Sequence, residues 1–152
     1  MSKRFTDTDK WKDEWFKKLP TAYKLLWLYI LDDCNHAGIW HSEFEIAQIR
    51  IGKENIIDKE SALSIFGDKV VQIDDGRKWF IPSFVTFQYG ELNPENKAHN
   101  SVIKILKEND LENYINYSDK PLKSSSRGAE EKEKNKDKII FKIKDKDKID
   151  FN

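Results

Sequence analysis

The residues that could carry chemistry in this chain are few. Two carboxylate pairs stand out, Asp32-Asp33 and Asp74-Asp75, together with one cysteine–histidine spacing, Cys34-x-His36-x4-His41. Paired acids do general acid–base work when their surroundings push their pKa values apart. Adjacent acids at a helix end or a tight turn are ordinarily caps or solvated groups. A structural zinc site needs four ligands in a tetrahedral array. Cys34, His36 and His41 supply three, and His99 is remote in sequence. Cys34 is the only cysteine, so neither a disulfide framework nor a four-thiolate zinc site can be built. No Ser-His-Asp or Cys-His arrangement with supporting context occurs, and the six glycines form no phosphate-cradling loop. The sequence reads as that of a non-enzymatic protein without a cofactor.

What remains is recognition by charge. One basic cluster is Lys17, Lys18 and Lys24. Another is Lys59, followed by Ser61 and Ser64. Arg77 and Lys78 form a third beside Asp74 and Asp75. Lys97, Asn100, Lys104 and Lys107 recur at i, i+3, i+7 and i+10, one helical stripe. Lysines and serines of these kinds reach phosphate oxygens. Each set also has an ordinary reading as a solvated face or as turn chemistry. The stripe from Lys97 and the Lys17–Lys18–Lys24 cluster are the better electrostatic candidates for nucleic-acid backbone contact.

The elements that must position these residues occupy the first part of the chain. Of 19 aromatic residues, 17 precede Ser118, including all five tryptophans. Residues 118–152 hold 11 Lys/Arg and 8 Asp/Glu. Such a segment buries too little apolar surface to offset ordering entropy, so a disordered tail is expected there. It contains a short apolar motif at 139–143, Ile-Ile-Phe-Lys-Ile, which suits a partner-docking strand or is a compositional accident. The net charge of +0 divides into about −3 for residues 1–117 and about +3 for the tail. The longest apolar run, Leu25 to Leu31, is far short of the roughly 20 residues that span a bilayer. Nothing after Met1 reads as a signal peptide, and a cytoplasmic protein is expected.

Within 1–117 the pattern predicts a first helix capped by Thr8 or Asp9, with Trp11, Trp15, Phe16 and Leu19 on one stripe. A second helix near Thr21 to Cys34 is apolar nearly all round. Such a helix is central to a core or shared with another subunit. Ile39 to His41 is a strand candidate. Ser42 and Glu45 match a capping box for a third helix ending at Gly52. Asp58 and Gly67 bracket a fourth, with Ala62, Leu63 and Phe66 inward. Residues 70–73 and 78–81 flank Asp74-Asp75-Gly76-Arg77 as a hairpin. Residues 83–90 are undecided. Asn93-Pro94 is expected to start a last helix, with Ala98, Val102, Ile105 and Leu106 on its apolar face. All five tryptophans fall on expected inward positions.

Helix, short strand, two helices and a hairpin make an α+β, mostly helical layout. It is that of a winged helix-turn-helix with a two-stranded wing. The fourth helix would enter a DNA groove, although its outward face, Glu60, Ser61 and Ser64, carries no side chain for bidentate base readout.

Thr8-Asp9-Lys10-Trp11-Lys12-Asp13-Glu14-Trp15, Leu19-Pro20 and Lys24-Leu25-Leu26-Trp27-Leu28-Tyr29 resemble the opening of phage replisome-organiser proteins. So do Asp33-Cys34-Asn35-His36-Ala37-Gly38-Ile39-Trp40, Trp79-Phe80-Ile81-Pro82 and Phe87-Gln88-Tyr89-Gly90. Residues 4–110 thus resemble the N-terminal winged-helix domain of DnaD-type replication initiation proteins. The resemblance implies binding to duplex DNA with weak sequence specificity, self-association, and a replication partner such as a helicase or its loader. The charged tail stands where relatives often continue into a second helical domain. From the residues themselves, Tyr23, Trp27, Tyr29 and Ile30 of the second helix are the candidate self-association surface. A protein-interaction module that does not itself bind DNA is the competing reading.

Overall fold

A computed structural model describes residues 3–118. The tail expected at 118–152 lies outside the described residues from 119 onward, and so does the motif at 139–143. The chain divides into two compact units, 1–84 and 85–152.

The first unit opens with a 3-10 turn, Thr8–Lys12, and a short helix α1, Glu14–Lys18. Asp13 separates them in extended conformation, and its carboxylate caps α1 by accepting from the Phe16 N–H. Helix α2 spans Thr21–Asp33 after Pro20. Strand β1 is Ile39–His41, helix α3 Phe44–Ile51 and helix α4 Lys59–Phe66. Strands β2, Val71–Ile73, and β3, Lys78–Phe80, form the hairpin. The antiparallel sheet has the order β1-β3-β2, with Trp79 opposite both Trp40 and Gln72. This is a winged helix: α2, β1, α3, α4, then a wing whose inner strand pairs with β1. Helix α5, Pro82–Tyr89, follows and runs across the division between the units.

An aromatic cluster joins these elements. Trp27 of α2 meets Phe66 of α4 at 5.1 Å between ring centroids, and Trp40 meets Trp79 at 5.5 Å. Tilted and edge-on ring pairs of this kind contribute about 0.5–1.5 kcal/mol each beyond burial. Ala47 of α3 and Ala62 of α4 are fully buried in the same core. The Trp79 Nε1–H is buried with no hydrogen-bond partner among the described residues; the aromatic rings of Trp40, Phe44 and Phe66 surround it.

In the second unit, helix α6 spans Lys97–Glu108 and buries Val102, Ile103 and Leu106. Leu92 and Leu111 are buried with them. Leu92 pairs in parallel with Tyr117 through an isolated bridge, which brings the end of the described chain back to the start of the unit.

Several expectations need correction. Asp13 breaks the first stripe, so Trp11 is 57% exposed rather than inward, and Trp15 is half-buried. The capping box does not form. Ser42 donates its hydroxyl to the Gly76 and Arg77 carbonyls, and α3 starts after Glu43 with no side-chain cap. Helix α6 is capped by Asn96, not Asn93, whose Oδ1 closes a turn onto the Glu95 N–H. Its apolar face is therefore rotated: Ala98 is exposed and Ile103 is buried. Of the four residues expected as a self-association surface on α2, Tyr23, Trp27 and Ile30 are buried in their own domain, and Tyr29 is half-buried.

Candidate nucleic-acid interface

The fourth helix and the hairpin are built as expected, and the structure shows how tightly they are tied. Asp58 caps α4 by accepting from the Ser61 N–H at 2.8 Å. The Tyr23 hydroxyl meets the same aspartate from α2, donating to Oδ2 and accepting from the Asp58 N–H. The Ser61 contacts hold the Asp58 carboxyl below its ordinary range. The turn entering α4 is organised by Gln48 of α3, whose amide donates to the Gly52 and Asn55 carbonyls and accepts from the Ile57 N–H.

The wing tip is a tight turn in which Asp74 and Asp75 both take positive φ, 54° and 52°, closed by Gly76 N–H to Ile73 O at 3.1 Å. The loop spans 74–77 between the paired Ile73 and Lys78, and aspartate tolerates positive φ better than most residues. Gly76 follows at φ +77°, where a side chain would be strained. The Gly76 carbonyl accepts from Lys59 Nζ at 2.6 Å and from the Ser42 hydroxyl at 2.9 Å. One backbone oxygen thus gathers the start of α4, the end of β1 and the wing.

This construction consumes the cations expected to meet DNA. Lys59 is bound to Gly76. Arg77 pairs with Asp74, and Lys78 reaches the other oxygen of the same carboxylate at 3.3 Å. Lys78 and Arg77 hold the Asp74 carboxyl below its usual range, Lys78 contributing most. Ser61 is half-buried, while Ser64 and Glu60 are exposed on the outer face of α4.

At the α1–α2 junction, Lys17 pairs with Glu14. Lys24 lies 5.9 Å over the Phe16 ring. Lys18 is exposed. In the second unit Lys97, Asn100, Lys104 and Lys107 are all exposed on α6. Glu108 lies 3.8 Å from Lys104 one turn on, so the stripe carries an acid at its C-terminal end. Among the described residues, Lys97 and Lys107 form no ion pair. Structurally, α6 presents two unpaired lysines and a polar amide on one side of a helix.

The chemical candidates resolve into architecture. Asp33 accepts from Trp40 Nε1 and from Arg50, both at 3.1 Å. Burial pushes the Cys34 thiol up to about 11, against the opposing pull of Arg4, so it stays protonated at neutral pH. Among the described residues no three His, Cys, Asp or Glu side chains cluster for a metal, and no helix is long and apolar enough to cross a membrane.

Three residues that sequence reasoning passed over position this unit. Gln48 sets the α3–α4 turn. Arg50 joins α3 to Tyr29 and Asp33 of α2. Arg4 donates to the Leu31, Asp32 and Cys34 carbonyls at the end of α2 and stacks on Phe84 at 5.1 Å. Arg4 and Arg50 act across 17 to 30 residues and so leave no local pattern, whereas the Gln48 contacts lie within nine residues, in a turn that no motif marks.

Comparison with protein-family models, curated proteins and solved structures finds no match to this chain.

Proposed function

We propose that this chain is a DNA-binding winged-helix protein of phage or prophage replication, of the replisome-organiser or initiation kind. It works in the cytoplasm, without catalysis or cofactor, on duplex DNA with weak sequence specificity. Its other partners are a second copy and a replication protein such as a helicase or loader. The observation that carries the reading is the α2-β1-α3-α4-β2-β3 succession closed by the β1-β3-β2 sheet. This arrangement presents a helix and a wing side by side, as groove-binding proteins do. Weak specificity follows from α4, whose exposed Glu60 and Ser64 offer no bidentate pairing to a base edge. Backbone contact falls, in the first unit, to Lys18 with Lys17 and Lys24 and, in the second, to Lys97 and Lys107 with Lys104; of these candidates Lys18, Lys97 and Lys107 form no ion pair among the described residues.

Salt dependence of duplex binding tests this. About 4–6 phosphate contacts give log K against log salt a slope of roughly −4 to −5. No binding at low salt would refute the reading.

A second reading has its own observation. Ile46, Ile49 and Ile56, on α3 and the turn after it, are 39%, 68% and 78% exposed. A winged helix that works as a protein-interaction module explains apolar side chains there better than a phosphate backbone does.

A further inference from the structure

Helix α3 turns Phe44, Ala47 and Ile51 toward the core and leaves Ile46 and Ile49 outward, one turn apart. Acidic residues flank them. Glu43 stands one turn before Ile46, and Glu45 one turn before Ile49. Both carboxylates are exposed, and among the described residues neither forms an ion pair. Of the cations that follow, Arg50 is held by Asp33 and Tyr29, and Lys53 is exposed in the turn after α3. The outward side of α3 is therefore apolar in the middle and negative at its N-terminal edge. That composition selects a short aliphatic segment flanked by lysines.

The chain carries such a segment at 139–143, Ile-Ile-Phe-Lys-Ile, with Lys136 and Lys138 before it and Lys144 after it. These residues lie outside the described part of the chain, and their sequence alone supplies the match. We propose that the 139–143 segment of a second copy docks on the Ile46–Ile49 face of α3, making the chain self-associate head to tail. The charge division agrees, about −3 for residues 1–117 against about +3 for 118–152. Length agrees as well. The residues between Ser118 and Ile139 reach roughly 70 Å at full extension, ample to cross to another molecule. The face and the segment are different surfaces, so the contact is heterologous and each copy offers one of each.

Sedimentation of the full chain tests this through complementation. The mass of the unaltered protein is expected to rise above 18.0 kDa with concentration. Ile49→Asp removes the face, Phe141→Asp removes the segment, and each alone is expected to stay monomeric. An equimolar mixture of the two variants contains one intact face and one intact segment and is expected to associate again. Glu45→Lys is expected to weaken association about tenfold, with a shallower salt dependence. It provides a second readout on the same face should Ile49→Asp fold poorly. A monomeric unaltered chain at high micromolar concentration overturns the proposal. So does Phe141→Asp associating normally, which would indicate a symmetric α3–α3 contact. A mixture that stays monomeric overturns it too. None of these outcomes depends on DNA.

Discussion

The wing and α6 are both rich in basic residues, yet they use them oppositely. At the wing, Lys59, Arg77 and Lys78 are bound to a backbone oxygen or to Asp74, so their charges hold a three-strand corner together. On α6, Lys97 and Lys107 stand on the side opposite Val102 and Leu106 and are bound to nothing among the described residues. A tight turn crowds its side chains and must satisfy them locally. A helix separates its polar and apolar faces by geometry and leaves the polar one open. Basic composition therefore says little about available charge until the local backbone is known.

The largest effect that would sharpen this contrast is on DNA affinity. Changing Lys97, Lys104 and Lys107 together to Glu is expected to weaken duplex binding about a hundredfold and to flatten the salt slope by about 3. The melting temperature should stay put, because all three are exposed. Arg77→Glu in the same assay is expected to change affinity only a few-fold. The reverse ranking would break the contrast and make the wing the contact. Next is Gly76→Ala. Its φ of +77° predicts a loss of about 1 kcal/mol in denaturant unfolding, confined to the first unit. An unchanged midpoint would mean that the turn relaxes freely.

A smaller effect concerns acid. The Asp74 carboxyl is held below its ordinary value by Lys78 and Arg77. Its folded pKa is thus lower than its unfolded one, so its contribution is complete above the unfolded value and is lost as pH falls through the folded one. The protection of the Gly76 and Arg77 amides, measured against their intrinsic exchange rates, is expected to fall below about pH 4, and Asp74→Asn is expected to remove that dependence. Smallest of all, Asp74→Asn at neutral pH frees Arg77 and Lys78 and should strengthen DNA binding slightly if the wing lies near the duplex.

The sequence disclosed elements wherever one residue type had one local task. Asp58 and Gly67 bounded α4 correctly, and Asp74 to Arg77 marked the hairpin. It misled where a side chain served a distant partner. Ser42 looked like a cap because of Glu45, but its hydroxyl is taken by wing carbonyls from a later part of the chain. Residues 83–90 gave no period because Phe84 and Val85 are buried and the positions from Thr86 to Tyr89 are half-buried, so α5 shows no clean polar face. The candidate contacts were legible as residue types only. Which lysines remain available depended on Asp74, Glu14 and Glu108, neighbours whose pairing is decided by geometry.

The strand order has a consequence for how the molecule reaches its native state. Strand β3 is the middle strand, pairing with β2 across one tight turn and with β1 across the whole of α3 and α4. Closing the first pairing restricts only a few residues, whereas the second must close a long loop and lose its entropy first. Folding is then expected to be ordered: hairpin and helices form early, in the rate-limiting step, and β1 joins last, after the barrier. Substitutions at Ile39 or Trp40 should accordingly speed unfolding and leave the refolding rate nearly unchanged, while those at Phe66 or Trp79 should slow refolding.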